Sequence, residues 1–198
     1  AALLVGKRRN PGLQPNNVPY VVLGAAILWL GWFGFNAGSA VAANDSAANA
    51  FLVTSLAAST AALTWGVISH LKTGKMGAVG VATGAVAGLV AITPAAGAVD
   101  AMGSLAIGFG AGLICFFAVE FLHKTNMDDA LDVFAVHGIG GIWGAIATGI
   151  FALEAIGGTS GLIEGNVKQV GIQAVGVVAT LIYSGIVTVI IMFILDKI

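Results

Sequence analysis

Six apolar stretches follow one another along this chain, joined by short polar connections. A helix needs about 20 mostly apolar residues to cross a bilayer. The expected spans are 18–41, 47–69, 76–93, 102–122, 131–153 and 167–195. The third is short and Gly-rich, which predicts little tilt or a partial break. The last is long enough to tilt or to project beyond the lipid. Lipid offers no hydrogen-bonding partners, so each span must satisfy its own backbone, and a helical bundle is the one arrangement these stretches allow. The expected fold class is an all-α integral membrane protein of six transmembrane helices.

Composition agrees. Of 198 residues, 58% are hydrophobic and only 9% charged, with a mean hydropathy of +0.99. Soluble domains carry about 25% charged residues. The net charge of −1 gives no reason to expect a nucleic acid partner. Cys115 is the single cysteine, so no intrachain disulfide forms, and an inert buried thiol is expected. The sequence shows no ATP-binding loop, metal-ligand cluster or nucleophile elbow. That argues against a primary pump or a hydrolase, and no enzymatic activity or cofactor is expected. Ala1 to Gly6 reads as the last turn of a helix that begins upstream.

The loops orient the bundle. Lys7, Arg8, Arg9, Lys72, Lys75, Lys124 and Lys197 fall on one side if the spans alternate. Asp45, Asp100, Glu154, Glu164 and a lone Lys168 fall on the other. Basic residues concentrate on the cytoplasmic side, so both ends of the segment are expected in the cytoplasm. Small-xxx-small pairs recur at Gly34/Gly38, Gly84/Gly88, Gly108/Gly112 and Gly140/Gly144. They predict close helix packing, within one protomer rather than between protomers.

Two spans carry unusual residues. In the first, Leu28, Trp32, Phe35 and Ser39 recur at steps of four, three and four, which aligns them along one helix face. Such a line is either a packing stripe or the wall of a narrow apolar pore with an aromatic gate. Asn36 is polar at depth and needs a partner; a structural hydrogen bond is its expected role. In the fifth span His137 lies about two turns in, with Val133 one turn before it on the same face and Asp132 five residues before. Intramembrane ionisable groups usually face a cavity or a partner, and imidazole changes protonation most readily near neutral pH. His137 is thus either interhelical glue or a functional group. Asp132 is expected to cap or anchor the helix end.

Three segments resemble hallmarks of one family. Gly31-Trp32-Phe33-Gly34-Phe35-Asn36-Ala37-Gly38-Ser39, Gly88-Leu89-Val90-Ala91-Ile92-Thr93-Pro94-Ala95-Ala96-Gly97 and Asp132-Val133-Phe134-Ala135-Val136-His137-Gly138 resemble motifs of the ammonium transporter (Amt/Mep) family, related to Rh proteins, in the family's order and spacing. The resemblance implies an eleven-helix protein of two inverted five-helix repeats plus a long last helix. This chain matches helices six to eleven, the second repeat and last helix.

The resemblance implies roles residue by residue. Phe35 is similar to one of two stacked phenylalanines at the outer pore mouth, and Ser39 to the hydroxyl of the ammonium-recruitment site. Trp32 and Leu28 match pore-lining positions. His137 matches one of two central histidines, Val133 a wall residue beside it, and Asp132 the structural acid of its motif. The remaining pore residues belong to the first repeat, outside this sequence. The implied activity is transport of ammonium or ammonia through a narrow hydrophobic pore. An ammonium sensor on the same fold and an Rh-type gas channel are the alternatives. The implied assembly is a homotrimer in the plasma membrane, and a cytoplasmic regulatory protein is an open further partner.

Overall fold

The computed structural model of the chain describes residues 1–9, 15–125 and 127–197. Among the described residues there is no strand. The helices are α1 (Ala2–Val5), α2 (Val18–Ala37), α3 (Asp45–Thr73), α4 (Ala78–Ile92), α5 (Ala101–His123), α6 (Gly140–Phe151), α7 (Glu154–Gly157) and α8 (Val167–Leu195). A π-helical turn, Phe134–Ile139, leads directly into α6. Single 3₁₀ turns occupy Gly38–Ala40 and Leu162–Glu164.

Local chemistry sets several boundaries. The side chain of Asn17 accepts from the Tyr20 amide at the start of α2, Asn44 does so for Ala47 at α3, and Asp100 for Gly103 at α5. Each satisfies an amide that has no intrahelical partner. Gly74 ends α3 in the left-handed conformation, φ 76°, and donates its amide to His70 O. That geometry is open to glycine at little steric cost.

Five helical segments are long and apolar enough to cross a membrane: Val18–Ala40, Asp45–Thr73, Ala101–His123, Phe134–Phe151 and Val167–Leu195. The expected third span, 76–93, is short, as its Gly-rich stretch predicted. Its helix α4 has only 15 residues, about 22 Å at 1.5 Å per residue, against a hydrocarbon core of about 30 Å. Beyond Ile92 the chain runs through turns, and Pro94 has no amide with which to extend the ladder. These turns are satisfied locally: the Ala95 amide donates to Ile92 O and the Ala98 amide to Ala95 O. Ala95, Ala96 and Val99 are buried. Irregular backbone is tolerated at membrane depth where protein covers it.

Helix α3 is the centre of the bundle. It packs on α4 and α5, and α2 lies against α3 and α4. Helix α6 bridges α4, α5 and α8. Val53, Ala57 and Ala61 of α3 are completely buried, together with Ala91, Ile92, Ala95, Val99, Ile107 and Ala147 from its neighbours. A second cluster joins Trp65, Cys115, Phe116, Val119, Ala135 and Val136. In contrast, α8 has no buried residue and α2 only Asn36. Apolar faces of this kind suit lipid tails or further membrane helices.

Contacts at the two ends of the bundle sort its loops. At one end Arg8 pairs with Asp128, Lys72 with Glu120, and His123 with Asp132. Leu4 and Val5 line a concavity there with Phe193 and Leu195 of α8. At the other end Asn49 donates to Val99 O, Leu153 N to Ala98 O, and Glu154 N to the Glu164 carboxylate. The basic loops therefore gather at one end.

Three of the four small-residue pairs pack within the chain. A Cβ on Gly84 would lie 2.6 Å from Trp65 Cβ and 3.0 Å from Ala61 O, and one on Gly112 would lie 2.7 Å from Ala61 O. Gly88 and Gly108 close on the Ala57 carbonyl from two sides, and Gly144 closes on that of Ala91. Gly34 and Gly38 face open space. Gly84→Val in the full-length protein is therefore expected to cost about 1–3 kcal/mol by overpacking. Gly77→Ala, with nothing within 4 Å of the added methyl, serves as control. Thermal unfolding in mild detergent checks the pair, and equal melting temperatures would contradict the close approach of α3 and α4.

Candidate functional site

The aligned residues of α2 form the first candidate site. Leu28, Trp32 and Phe35, with Ile27 and Gly31, line an apolar concavity of about 370 Å³. Trp32 is half-buried, and its Nε1–H donates to Thr93 Oγ1 at 2.7 Å. Thr93 in turn donates to Leu89 O at 2.8 Å, so the indole is tied to α4. The Phe35 ring stands edge-on to it at 6.0 Å between centroids and is 61% exposed.

A second concavity, about 290 Å³, adjoins the first through Phe35. Asn36, Ser39, Ser46 and Thr93 contribute polar groups to its lining. The Ser39 hydroxyl donates to Phe35 O at 2.6 Å, which leaves its oxygen lone pairs free to accept. Asn36 is buried and donates to Thr54 Oγ1 at 2.9 Å, and Thr54 donates to Ala50 O. Phe33 stacks on Phe51 at 3.9 Å and fastens the same helix to α3. Phe35 thus separates a hydroxyl-bearing hollow from an apolar one.

His137 lies within the π turn, where Ala135 and Val136 point into the core and the imidazole is exposed. Cys115 Sγ sits 3.9 Å from Val136 O behind the turn. His137 opens into a concavity of about 470 Å³ between α6 and α8, which Gly138, Gly141, Gln173 and Thr180 also line. Val133 is exposed one turn earlier but does not line that concavity. π turns are rare and recur at functional sites.

Two carboxylates organise the start of this turn. Asp129 accepts the Phe134 amide at 2.6 Å and caps it. Asp132 has φ +53°, and its carboxylate meets His123 Nε2 at 2.7 Å. Nearby, Arg8 engages Asp128 through its backbone amide, Nε and Nη2, at 2.7–3.1 Å. Those bonds hold the Asp128 carboxyl at about 2, down from 3.8, and raise the Arg8 guanidinium. A depressed carboxyl favours the paired state above its ordinary pKa, so the contact persists at neutral pH and is lost as pH falls through about 2.

The structure therefore brings Leu28, Trp32 and Phe35 together, joins Asn36 and Ser39 to Phe35, and sets His137 in a different concavity. Sequence reasoning passed over Thr54, Thr93, Gln173 and Thr180. Thr93 stood inside the Gly88–Gly97 segment, and Gln173 was readable as a polar residue in an apolar span. The partners of Thr54 and Thr93, eighteen and sixty-one residues away, left no local signal.

The apolar bundle, with five helical segments long enough to cross a membrane, defines a multi-pass helical membrane protein. The Ammonium Transporter Family model matches residues 1–198. The chain is 54% identical to an ammonium transporter of Aquifex aeolicus over 198 residues, covering 100% of this chain and 47% of that protein. It is 46% identical to the ammonium transporter Amt1 of Archaeoglobus fulgidus over 192 residues, covering 96% and 49%. Among solved structures it superposes on Saccharomyces cerevisiae Mep2 with a TM-score of 0.92 at 39% identity, covering 100% of this chain and 48% of that one. It also matches a sensor Amt protein with a TM-score of 0.87 at 32% identity, covering 100% and 50%. The chain belongs to the Ammonium Transporter Family, as the three sequence motifs implied. It spans about half the length of the relatives it matches.

Proposed function

We propose that this chain is the C-terminal half of an ammonium transporter and forms one wall of its permeation path. The observation that carries the reading is Phe35, placed between the hydroxyl-bearing hollow of Ser39 and the apolar hollow of Trp32 and Leu28. Ammonium is a strongly hydrated cation, and taking it whole into an apolar passage is costly. Hydroxyl oxygen and aromatic faces replace part of that hydration at the mouth. Loss of a proton then leaves neutral ammonia, which crosses apolar surroundings at far lower cost. His137 offers that ammonia a hydrogen-bonding stop and a group able to carry protons, and Val133 one turn earlier supplies apolar wall. The chain moves a solute; it does not transform one.

Replacing His137 with Ala in full-length protein is expected to lower ammonium-driven current in proteoliposomes by on the order of tenfold or more, consistent with loss of a proton-transfer group, while folding is retained. Unchanged current together with unchanged selectivity over potassium would leave His137 as interhelical glue.

The orientation follows from the end of the bundle where the basic loops meet. That end faces the cytoplasm, so both ends of this segment lie on the cytoplasmic side of the plasma membrane. Reporters inserted in the loops at Asp45 and Asp100 are expected to read as external, and a cytoplasmic signal from either would reverse the assignment.

Full-length chains assemble as a homotrimer, each protomer with its own path; the exposed apolar faces of α2 and α8 leave room for further membrane helices. Native mass measurement in mild detergent is expected to give a threefold mass. A monomer or dimer as the sole species would refute it.

A further inference from the structure

His123 and Asp132 touch none of the concavities that line the proposed path, yet they sit where the π turn begins. His123 is the last residue of α5, and Asp132 lies two residues before Phe134. A carboxylate only accepts, so the imidazole Nε2–H must donate across the 2.7 Å contact.

The backbone makes this contact unusual. Asp132 carries φ +53°, a conformation uncommon for any residue but glycine, though Asp tolerates it better than most. Its carbonyl accepts the Val136 amide at 2.9 Å, so the helical ladder starts from it. A carboxylate at such a position ordinarily turns onto the first free amides of its own helix. Here Asp129 serves the Phe134 amide, and Asp132 is turned outward to another helix. The far side of the contact is anchored. Leu122 and Val119 of α5 are buried, and one turn before His123 the Glu120 carboxylate is held by Lys72 of α3.

A π turn holds one residue more than an α-helical turn, so it can relax by a one-residue shift in register. Such a shift would swing His137 by about 100° around the axis, at 3.6 residues per turn. Where the ladder starts decides the register. The pair itself is partly exposed, with side chains 41% and 26% accessible, and contacts of that kind add little to overall stability. Its consequence lies in geometry rather than in stability.

We propose that His123, acting through Asp132, sets the register of the π turn and so the aim of His137. It is a positioning residue for ammonium conduction. The inference rests on the permeation reading of His137, and the experiment separates the two.

Full-length wild type, His123→Ala, His123→Gln, His137→Ala and the His123→Ala/His137→Ala double variant are compared in proteoliposomes. Ammonium-driven current, selectivity over potassium and melting temperature are recorded for each. His123→Ala is expected to lower current on the order of tenfold, since small misplacements of a working group carry large rate effects, with the melting temperature unchanged. His123→Gln, whose amide can still donate to Asp132, is expected to restore most of the current. The double variant is expected to be no worse than His137→Ala, because residues acting as one unit are non-additive. Wild-type current in His123→Ala, additive losses in the double variant, or a lowered melting temperature with normal current per folded protein would each overturn the positioning role. If His137→Ala conducts normally, the permeation reading and this inference fall together. If His137→Ala is impaired and His123→Ala is not, only this inference falls.

Discussion

The bundle depends on how closely α3 can be approached. In lipid the hydrophobic effect does not drive helices together, so association rests on packing and on interhelical hydrogen bonds. Gly84 and Gly88 of α4 and Gly108 and Gly112 of α5 meet the Ala57–Ala61 stretch of α3, where a single added methyl would collide with backbone or ring atoms. Gly144 then brings α6 onto Ala91 of α4. With these approaches made, the Trp65, Phe116 and Val136 side chains can fill the space between helices. The π turn packs on α4 and α5, the helices that these approaches hold against α3.

A tight core of this kind allows the functional groups to sit at its edge. Trp32 is held by Thr93 and Asn36 by Thr54, so two short hydrogen bonds orient α2 on the core while Phe35 remains free to face the concavities. Behind the π turn, Ala135 and Val136 are buried against α5, which leaves His137 on the open side. Buried polar groups without partners are costly, and no buried side-chain nitrogen or oxygen among the described residues lacks one.

The charged residues follow a different logic. They collect at the aqueous ends, where Arg8 and Lys72 each pair with a carboxylate from a distant part of the chain and His123 with one nine residues on. Lys72 also lies 5.6 and 5.2 Å from the Phe116 and Phe117 ring centroids, which adds cation–π attraction at the end of α5. These contacts tie loop to helix end at the bundle's basic edge. The apolar middle of the bundle is left to side-chain packing and to neutral hydrogen bonds.

Much of this was legible in the sequence because the bilayer allows so few solutions. Runs of apolar residues must be helices, and Val167–Leu195 matches its expected limits at both ends. The small-residue pairs revealed close packing, and the alignment of Leu28, Trp32 and Phe35 at helical spacing placed them in one concavity. The third span was expected to end at 93 and α4 stops at Ile92; what periodicity could not show is that Ala95, Ala96 and Val99 beyond it are buried in turns packed with α3 residues. Nor could it show the π turn, since Phe134–Ile139 reads as ordinary helix, and the contacts of Asp129 and of His123 with Asp132 at its start join residues that helical periodicity does not pair. The sequence determined which segments enter the membrane and which residue types they carry, since transfer from water to lipid depends on composition alone. The tertiary structure decided which side chains meet and where the helix is interrupted, since those depend on partners far apart in the chain.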